Sequence, residues 1–373
     1  MRWTVRLAGI LLLLGASCAP VGAVRQPGDA AWHRLPSPVF ETHGGSFFDT
    51  TVVPAGGLVL VVHGSTGRAD RVVVEVLDLE SERVREAALA PLHWRCCYAA
   101  VWSGSELLVW GGSQGAQDDA MGAAYDPGGD SWRILPEAPA EPTVEAFAWT
   151  GNALLIWGMD GSMPAAVAYR PATNDWLPLD GGPLEPRHGA VSVWTGRELV
   201  IWGGCRIGDG QCQDPVSGDE LADGAAFEVA SLRWRVLPPA PVAPRDYAAA
   251  AWTGSEMVVW GGHGGESELP FRGAAYAPAS NRWRVLPESP LSERRIYHTL
   301  VWTGAEVVAW AGSGRLEVES NGARYEPIRD AWSVLPATPA GPRRNQGAGW
   351  TGSAVVFAGG YPDASTWLLS FEP

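Results

Sequence analysis

One phrase recurs seven times along the chain and limits the fold more than any other feature. It reads WSGSELLVWGG from Trp102, WTGNALLIWGM from Trp149, WTGRELVIWGG from Trp194 and WTGSEMVVWGG from Trp252. It continues as WTGAEVVAWAG from Trp302 and WTGSAVVFAGG from Trp350, and a degraded copy, AGGLVLVVHGS, begins at Ala55. Successive copies start 47, 47, 45, 58, 50 and 48 residues apart. A unit of this size cannot bury its apolar faces alone, so tandem copies must stack against one another. A period near 48 suits a four-stranded blade.

Each copy predicts a hairpin: a short β-rich run, a Thr-Gly or Ser-Gly turn, then a β-branched run leading to Gly-Gly. A second recurrence lies downstream. Tyr125 precedes Trp132 by seven residues, and the same spacing joins Tyr169 to Trp176, Phe227 to Trp234, Tyr276 to Trp283 and Tyr325 to Trp332. Leu77 and Val84 are its weak form in the first unit. Turn residues such as Asp126-Pro127-Gly128-Gly129-Asp130 separate the members of a pair, which makes a second hairpin. Each unit is therefore four antiparallel strands, a to d, from the inside outward.

Gly-Gly in strand b, Tyr in strand c, Trp in strand d and a Pro-Arg before the next strand a resemble the kelch repeat. The resemblance spans about Trp32 to Pro373 and implies a β-propeller. The seventh unit has strands a and b near Gln346 to Gly360 and a strand c near Ser365 to Phe371, with no outer strand after it. Trp32-His33-Arg34-Leu35-Pro36 matches the outer strand Trp132-Arg133-Ile134-Leu135-Pro136. The expected fold is an all-β, seven-bladed kelch-type β-propeller with four antiparallel strands per blade, closed by that N-terminal outer strand. Six blades is the alternative if the Ala55 unit is not a full blade.

The N-terminus reads as an export address. Arg2 and Arg6 precede an apolar run, Leu7 to Leu14, and small residues follow. The run is far short of the ~20 residues that span a bilayer. Two cleavage readings compete. Leu14-Gly15-Ala16-Ser17-Cys18 resembles a bacterial lipobox, which gives a lipoprotein signal over 1–17 and lipidation at Cys18. Gly15 departs from that pattern, which prefers a larger aliphatic residue there. Val21-Gly22-Ala23 offers an ordinary signal-peptidase site, which gives a signal peptide over 1–23. Residues 24–30 are then a tether and residues 31–373 a single propeller domain. Localisation is expected to be lipid-anchored at the cell envelope, or periplasmic or extracellular.

Composition excludes several functions. All 27 basic residues are Arg, so Schiff-base and P-loop lysine chemistry are absent. A net charge of -14 argues against a nucleic-acid partner. Export makes the cysteines informative. Cys205 and Cys212 share one Gly- and Asp-rich stretch and are a disulfide candidate. Cys96 and Cys97 are adjacent, and they read as two thiols or as a strained vicinal bridge.

Residues that recur in nearly every blade are read as packing between blades, and function is sought where blades differ. Seven residues before the first Trp of the phrase, five blades carry Arg: Arg95, Arg187, Arg245, Arg295 and Arg343. The third blade has Pro142 there and the first Phe48. Two readings stand: a repeated structural tie, or a cationic ring at the channel mouth that holds a carboxylate. The next places vary: Cys96, Cys97 and Tyr98; Thr143, Val144 and Glu145; His188; Asp246 and Tyr247; Tyr297 and His298; Arg344, Asn345 and Gln346. The ligand-binding candidates are Arg187, His188, Arg245, Asp246, Tyr297, His298, Arg343 and Arg344, and no catalytic residue is assigned.

Arg295-Ile296-Tyr297-His298-Thr299 looks like the copper-ligand segment of galactose oxidase, which shares the kelch propeller. The cross-linked Cys and Tyr of that family have no evident equivalent here, since Glu145 and Phe147 stand in the blade after the Cys pair. His43, His93 and His263 lack zinc-motif spacing. The acidic loop from Cys205 to Asp223, with Asp209, Asp214, Asp219, Glu220 and Asp223, lacks EF-hand spacing. No metal and no cofactor are expected. The expected role is a binding or interaction scaffold, monomeric, whose partner is a protein or glycan at the cell envelope. The alternatives are a cofactor-independent carbohydrate-active enzyme of the sialic acid isomerase type and, behind it, a copper oxidase.

Overall fold

The computed structural model describes residues 30–36, 48–65, 71–113, 121–206, 219–264, 272–291, 295–314 and 317–371. The export segment with Cys18, residues 24–29 of the tether, His43, and Asp209, Cys212 and Asp214 of the acidic loop lie outside the described residues, while Ala30, counted in the tether from the sequence, belongs to the first strand.

Seven sheets of four antiparallel strands make the fold, joined in strand order a-b-c-d. Blade one comprises Phe48–Ala55, Leu58–Ser65, Val73–Asp78 and Arg83–Glu86. Blade two comprises Cys96–Trp102, Leu107–Ser113, Gly122–Asp126 and Ser131–Ile134. Blades three to six repeat the plan. Blade seven takes strands a to c from Gly347–Trp350, Ala354–Ala358 and Thr366–Phe371 and its outer strand from Ala30–Leu35. The pairing runs antiparallel from Ala30 opposite Phe371 to Leu35 opposite Thr366, which is the closure expected from Trp32. Each strand a lies beside the strand a of the next blade all the way round, so the seven inner strands enclose one axis.

The recurring aromatics explain why the blades stack. The second Trp of the phrase, at 110, 157, 202, 260 and 310, is almost wholly buried. Each packs against the strand d Trp of the following blade: Trp110 on Trp176 with ring centroids 5.3 Å apart, Trp202 on Trp283 at 5.6 Å, and Trp260 on Trp332 at 5.7 Å. Trp310 of blade six meets Trp32 at 5.4 Å, so Trp32 fills the outer-strand position of blade seven. Offset aromatic contacts of this kind add to the burial of large apolar area. A polar latch repeats on the outer side of the seam. Arg235 pairs with Glu198 at 2.7 Å and donates to the Tyr276 hydroxyl at 2.6 Å, and Arg284 does the same with Glu256 and Tyr325.

Blade one departs from the sequence reading by one residue. Its first hairpin turns over two residues, with Ala55 opposite Leu58, whereas Trp102 opposite Leu107 leaves four. Pairing therefore puts Pro54, opposite Val59, in the place of Trp102. Asp49 and Thr50 then align with Cys97 and Tyr98 of blade two. The place aligned with Arg95 moves from Phe48 to position 47, outside the described residues.

Candidate functional site

The inner hairpin of most blades is bent where strand a begins. The residue at the bend has positive φ in six blades: Asp49 (56°), Cys97 (60°), Gly189 (64°), Tyr247 (46°), Tyr297 (58°) and Asn345 (58°). Five of these are not glycine, and such residues carry a conformational cost that tends to gather at binding sites. In blades two, four, five and seven the Gly-Gly pair lies opposite the bend, also at positive φ, and blade six has Ala311-Gly312 in its place. A Cβ on Gly262 would stand 2.7 Å from the Asp246 carbonyl oxygen, so no side chain fits against this bend. The bends touch across the seams: the Tyr247 N–H donates to the Gly189 carbonyl at 2.9 Å, and the Asn345 N–H to the Tyr297 carbonyl at 3.1 Å. One belt of residues, distant in sequence, thus surrounds the mouth of the axis.

A cavity of about 250 Å³ opens in this belt, lined by Asp49, Thr50, Thr51, Cys97, Tyr98, Tyr297, His298, Asn345 and Gln346. These come from blades six, seven, one and two. Tyr297 and His298 were expected here. Asp49, Thr50 and Thr51 were missed, because the short turn of blade one shifts its register.

Two buried groups on the wall have no hydrogen-bond partner among the described residues: His298 Nδ1 and Gln346 Oε1. The other ring nitrogen, His298 Nε2, is 3.2 Å from the Trp260 carbonyl oxygen. Burial, with the Arg295 charge second, pushes this imidazole down to about 3, so it is neutral. The Gln346 amide donates to the Trp310 carbonyl at 3.3 Å. The Tyr98 hydroxyl is spent on the backbone carbonyls of Asp49 at 2.6 Å and Val62 at 2.9 Å. Behind Thr50 lies a buried polar chain. Thr50 Oγ1 is 3.2 Å from His63 Nδ1, and His63 Nε2 is 3.3 Å from Glu75 Oε2. His63 stands where strand b of blade two has Gly111, and Glu75 where strand c has Ala123, so the pair is peculiar to blade one.

Electrostatics set the mouth apart from an ordinary surface. Burial, with Cys96 second, pushes Asp49 up from 3.8 to about 6. Burial, with Glu220 second, pushes Asp246 up to about 7. A hydrogen bond with Cys96, then burial, raises the Cys97 thiol well above its ordinary range. Cys96 and Cys97 remain thiols, without a vicinal bridge.

The remaining candidates divide into two groups. His188 Nδ1 meets Glu145 Oε1 at 2.5 Å, an interaction that raises the imidazole's pKa. Asp246 is buried near His263, whose Nδ1 lies 3.7 Å from Asp246 Oδ1 and 3.4 Å from Glu220 Oε1. Arg344 lies over the Tyr361 ring at 5.7 Å, and its charge acts on Tyr297. These residues share the mouth with the cavity.

Arg187, Arg245 and Arg343 do not line it. They are 0–1% exposed, and each reaches inward to the first carbonyl of its blade's Gly-Gly pair: Gly203 at 3.1 Å, Gly261 at 3.2 Å and Gly359 at 3.4 Å. Arg95 and Arg295 make the same bond to Gly111 and Ala311. A buried guanidinium needs several acceptors, and the loop backbone supplies them. In place of the cationic ring considered above, the structure has a repeated tie between strand a and the b-to-c loop.

The acidic loop is similarly occupied where it is described. Asp223 holds Arg187 at 2.8 Å and Glu220 faces His263. Cys205 is disulfide-bonded, while Cys212 lies outside the described residues. Among the described residues no three His, Cys, Asp or Glu side chains converge tightly enough to hold a metal ion. Copper of the galactose oxidase type does not fit this donor set. Among the described residues His298 is the only imidazole on the cavity wall, and its Nε2 is committed to a carbonyl.

No family model matches the chain. Among curated proteins it is similar to the Kelch-like protein terF of Aspergillus terreus (strain NIH 2624 / FGSC A1156), with 24% identity over 279 residues. The match covers 68% of this chain and spans 58% of that relative's length. The spaced Gly-Gly, Tyr and Trp positions, the closed ring of seven four-stranded blades and this relative place the chain among the kelch-repeat β-propellers.

Proposed function

We propose that this propeller is an exported interaction scaffold, tethered to the bacterial cell envelope through Cys18 or released beyond the membrane. It presents its channel mouth to a protein or glycan. A kelch-type propeller is suited to protein interaction, and one observation carries the choice of face. The varied positions of four adjacent blades form a single cavity whose wall keeps the unpartnered polar atoms His298 Nδ1 and Gln346 Oε1. Buried polar groups without partners are costly, and a ligand supplies what they lack.

A second reading draws on different residues. Asp49 at about 6 and Asp246 at about 7 lie in the range a general acid or base uses near neutral pH. Together with Tyr297 and the His188–Glu145 pair they are the groups a cofactor-independent sugar-converting enzyme would need. Among the described residues no arginine lines the cavity to hold an acidic sugar, which favours the scaffold.

The test is fractionation and capture in the native type of host. A photo-crosslinking residue at exposed position 97 should trap an envelope component, and Tyr297→Ala should abolish the trapping. Cys18→Ser should abolish labelling by a palmitate analogue. Cytoplasmic retention of the intact full-length chain would overturn export. Turnover of a neutral or acidic sugar by the purified protein, lost on Asp246→Asn, would replace the scaffold with the enzyme.

A further inference from the structure

The hydrogen-bonding capacity left on the cavity wall has one sign. The Trp260 carbonyl can only accept, so His298 Nε2 carries the ring proton. The ring is neutral, and Nδ1 is then a lone pair. The same logic fixes Gln346. Its nitrogen faces the Trp310 carbonyl, so the buried atom without a partner is the amide oxygen, another acceptor. Thr50 adds to the pattern. Its hydroxyl lies 3.2 Å from His63 Nδ1, and its oxygen keeps a lone pair that can accept. Asp49 contributes a carboxylate with no ion pair among the described residues.

The cations nearby do not satisfy these groups. Arg95, Arg295 and Arg343 point into the loop backbone, and Arg344 lies over Tyr361. The chain has no lysine at all. The other titratable groups at the mouth are the thiols of Cys96 and Cys97, the phenols of Tyr247 and Tyr297, the carboxylates of Glu145, Glu220 and Asp246, and the imidazoles of His188 and His263, which face Glu145 and the Glu220 and Asp246 carboxylates respectively. An ammonium has three N–H donors and no acceptor, the complement of a carboxylate, an imidazole lone pair and an amide oxygen. A volume of about 250 Å³ admits such a group on a short alkyl stem.

We infer that the cavity seats a primary ammonium group, carried by a small amine or by a lysine side chain of a partner, on Asp49, His298 Nδ1 and Gln346 Oε1. This rests on the cavity being the ligand seat of the scaffold proposed above. It also reverses the carboxylate ligand that a cationic arginine ring, one of the two readings of those arginines, would hold.

Calorimetric titration of the full chain with n-butylammonium, n-butanol and butyrate tests it. Butylammonium should bind at least tenfold more tightly than butanol, and butyrate should not bind. Asp49→Asn should weaken the amine at least tenfold with the fold intact by thermal melting. Gln346→Met should weaken it several-fold without a change of charge. A blocked Gly-Lys-Gly peptide separates the two sources: tighter binding than butylammonium assigns the seat to a lysine, weaker binding to a free amine. Equal or tighter binding of butyrate, or unchanged amine affinity in Asp49→Asn, would overturn the inference. So would silence of all probes, which would leave only water on the acceptors. Partner capture that still depends on Tyr297 would then leave the scaffold standing and remove only the ammonium.

Discussion

Replacing Asp49 by Asn should make the protein more stable at neutral pH. Asp49 has φ +56°, a conformation that Asn adopts readily, so the exchange removes charge with little effect on the backbone. Burial and the neighbouring Cys96 move the carboxyl from 3.8 to about 6. The folded state therefore binds the proton more tightly than the unfolded one. Stability contributed by this group is present at low pH and is lost as pH rises from about 4 to about 6, after which the penalty is complete. The distance from 3.8 to about 6, at about 1.36 kcal/mol for each power of ten in proton affinity, amounts to about 3 kcal/mol at pH 7.5. At pH 4.0 only about 0.5 kcal/mol remains. Urea unfolding followed by tryptophan fluorescence at the two pH values measures the difference directly. Equal stability of the two proteins at pH 7.5, or a weaker Asn variant, would refute the reasoning, because the carboxylate would then be solvated in the folded state. The same substitution is the one expected to lose the amine. A side chain that costs stability and gains a ligand is the signature of a binding group rather than of scaffold.

Three other outcomes follow from the architecture. Removing residues 30–35 strips Leu35 and Trp32 from blade seven and bares the edge of Thr366–Phe371, so aggregation or a loss of about 5 kcal/mol or more is expected; an unchanged melting temperature would refute the closure. Arg245→Ala combined with Arg343→Ala should cost about 3 kcal/mol or more, since buried charge-assisted bonds disappear; lost ligand binding with an intact melting curve would return these arginines to the site. Peptide mapping without reductant should recover Cys205 joined to Cys212, and Cys205→Ser should cost about 2–5 kcal/mol; Cys205 joined to any other cysteine refutes the pairing.

The fold was legible because its signals recur at fixed offsets. Seven spaced copies of a hairpin set the blade count, and the single match of Trp32 to the outer-strand tryptophans predicted the closure. The site was legible in part. Tyr297, His298, Asn345 and Gln346 follow from asking where blades differ. Asp49 did not follow, because a two-residue turn in blade one displaced the alignment by one place. The direction of the arginines was also beyond the sequence. Next to a bend, spacing alone does not fix whether a long side chain turns toward the axis or back into its own loop. Nor could spacing show that His298 and Gln346 each spend one end on a carbonyl and leave an acceptor behind.

The closure also governs when this molecule can finish folding. Ser370 donates to the carbonyl of Ala31, 339 residues away, and the whole of that sheet seam joins the first described strand to the last. Six blades can form as their own hairpins emerge, since nearly all their pairing is local. The seventh waits for both ends of a very long loop, and bringing distant segments together is slow even where its equilibrium cost grows only with the logarithm of length. Until then the strand 30–35 must remain unpaired, and the edge of strand 366–371 stays open to any passing β-strand. Proteolysis during refolding should therefore cut near these two segments last-protected and blades two to five first-protected, a kinetic order imposed by where the ring is sealed.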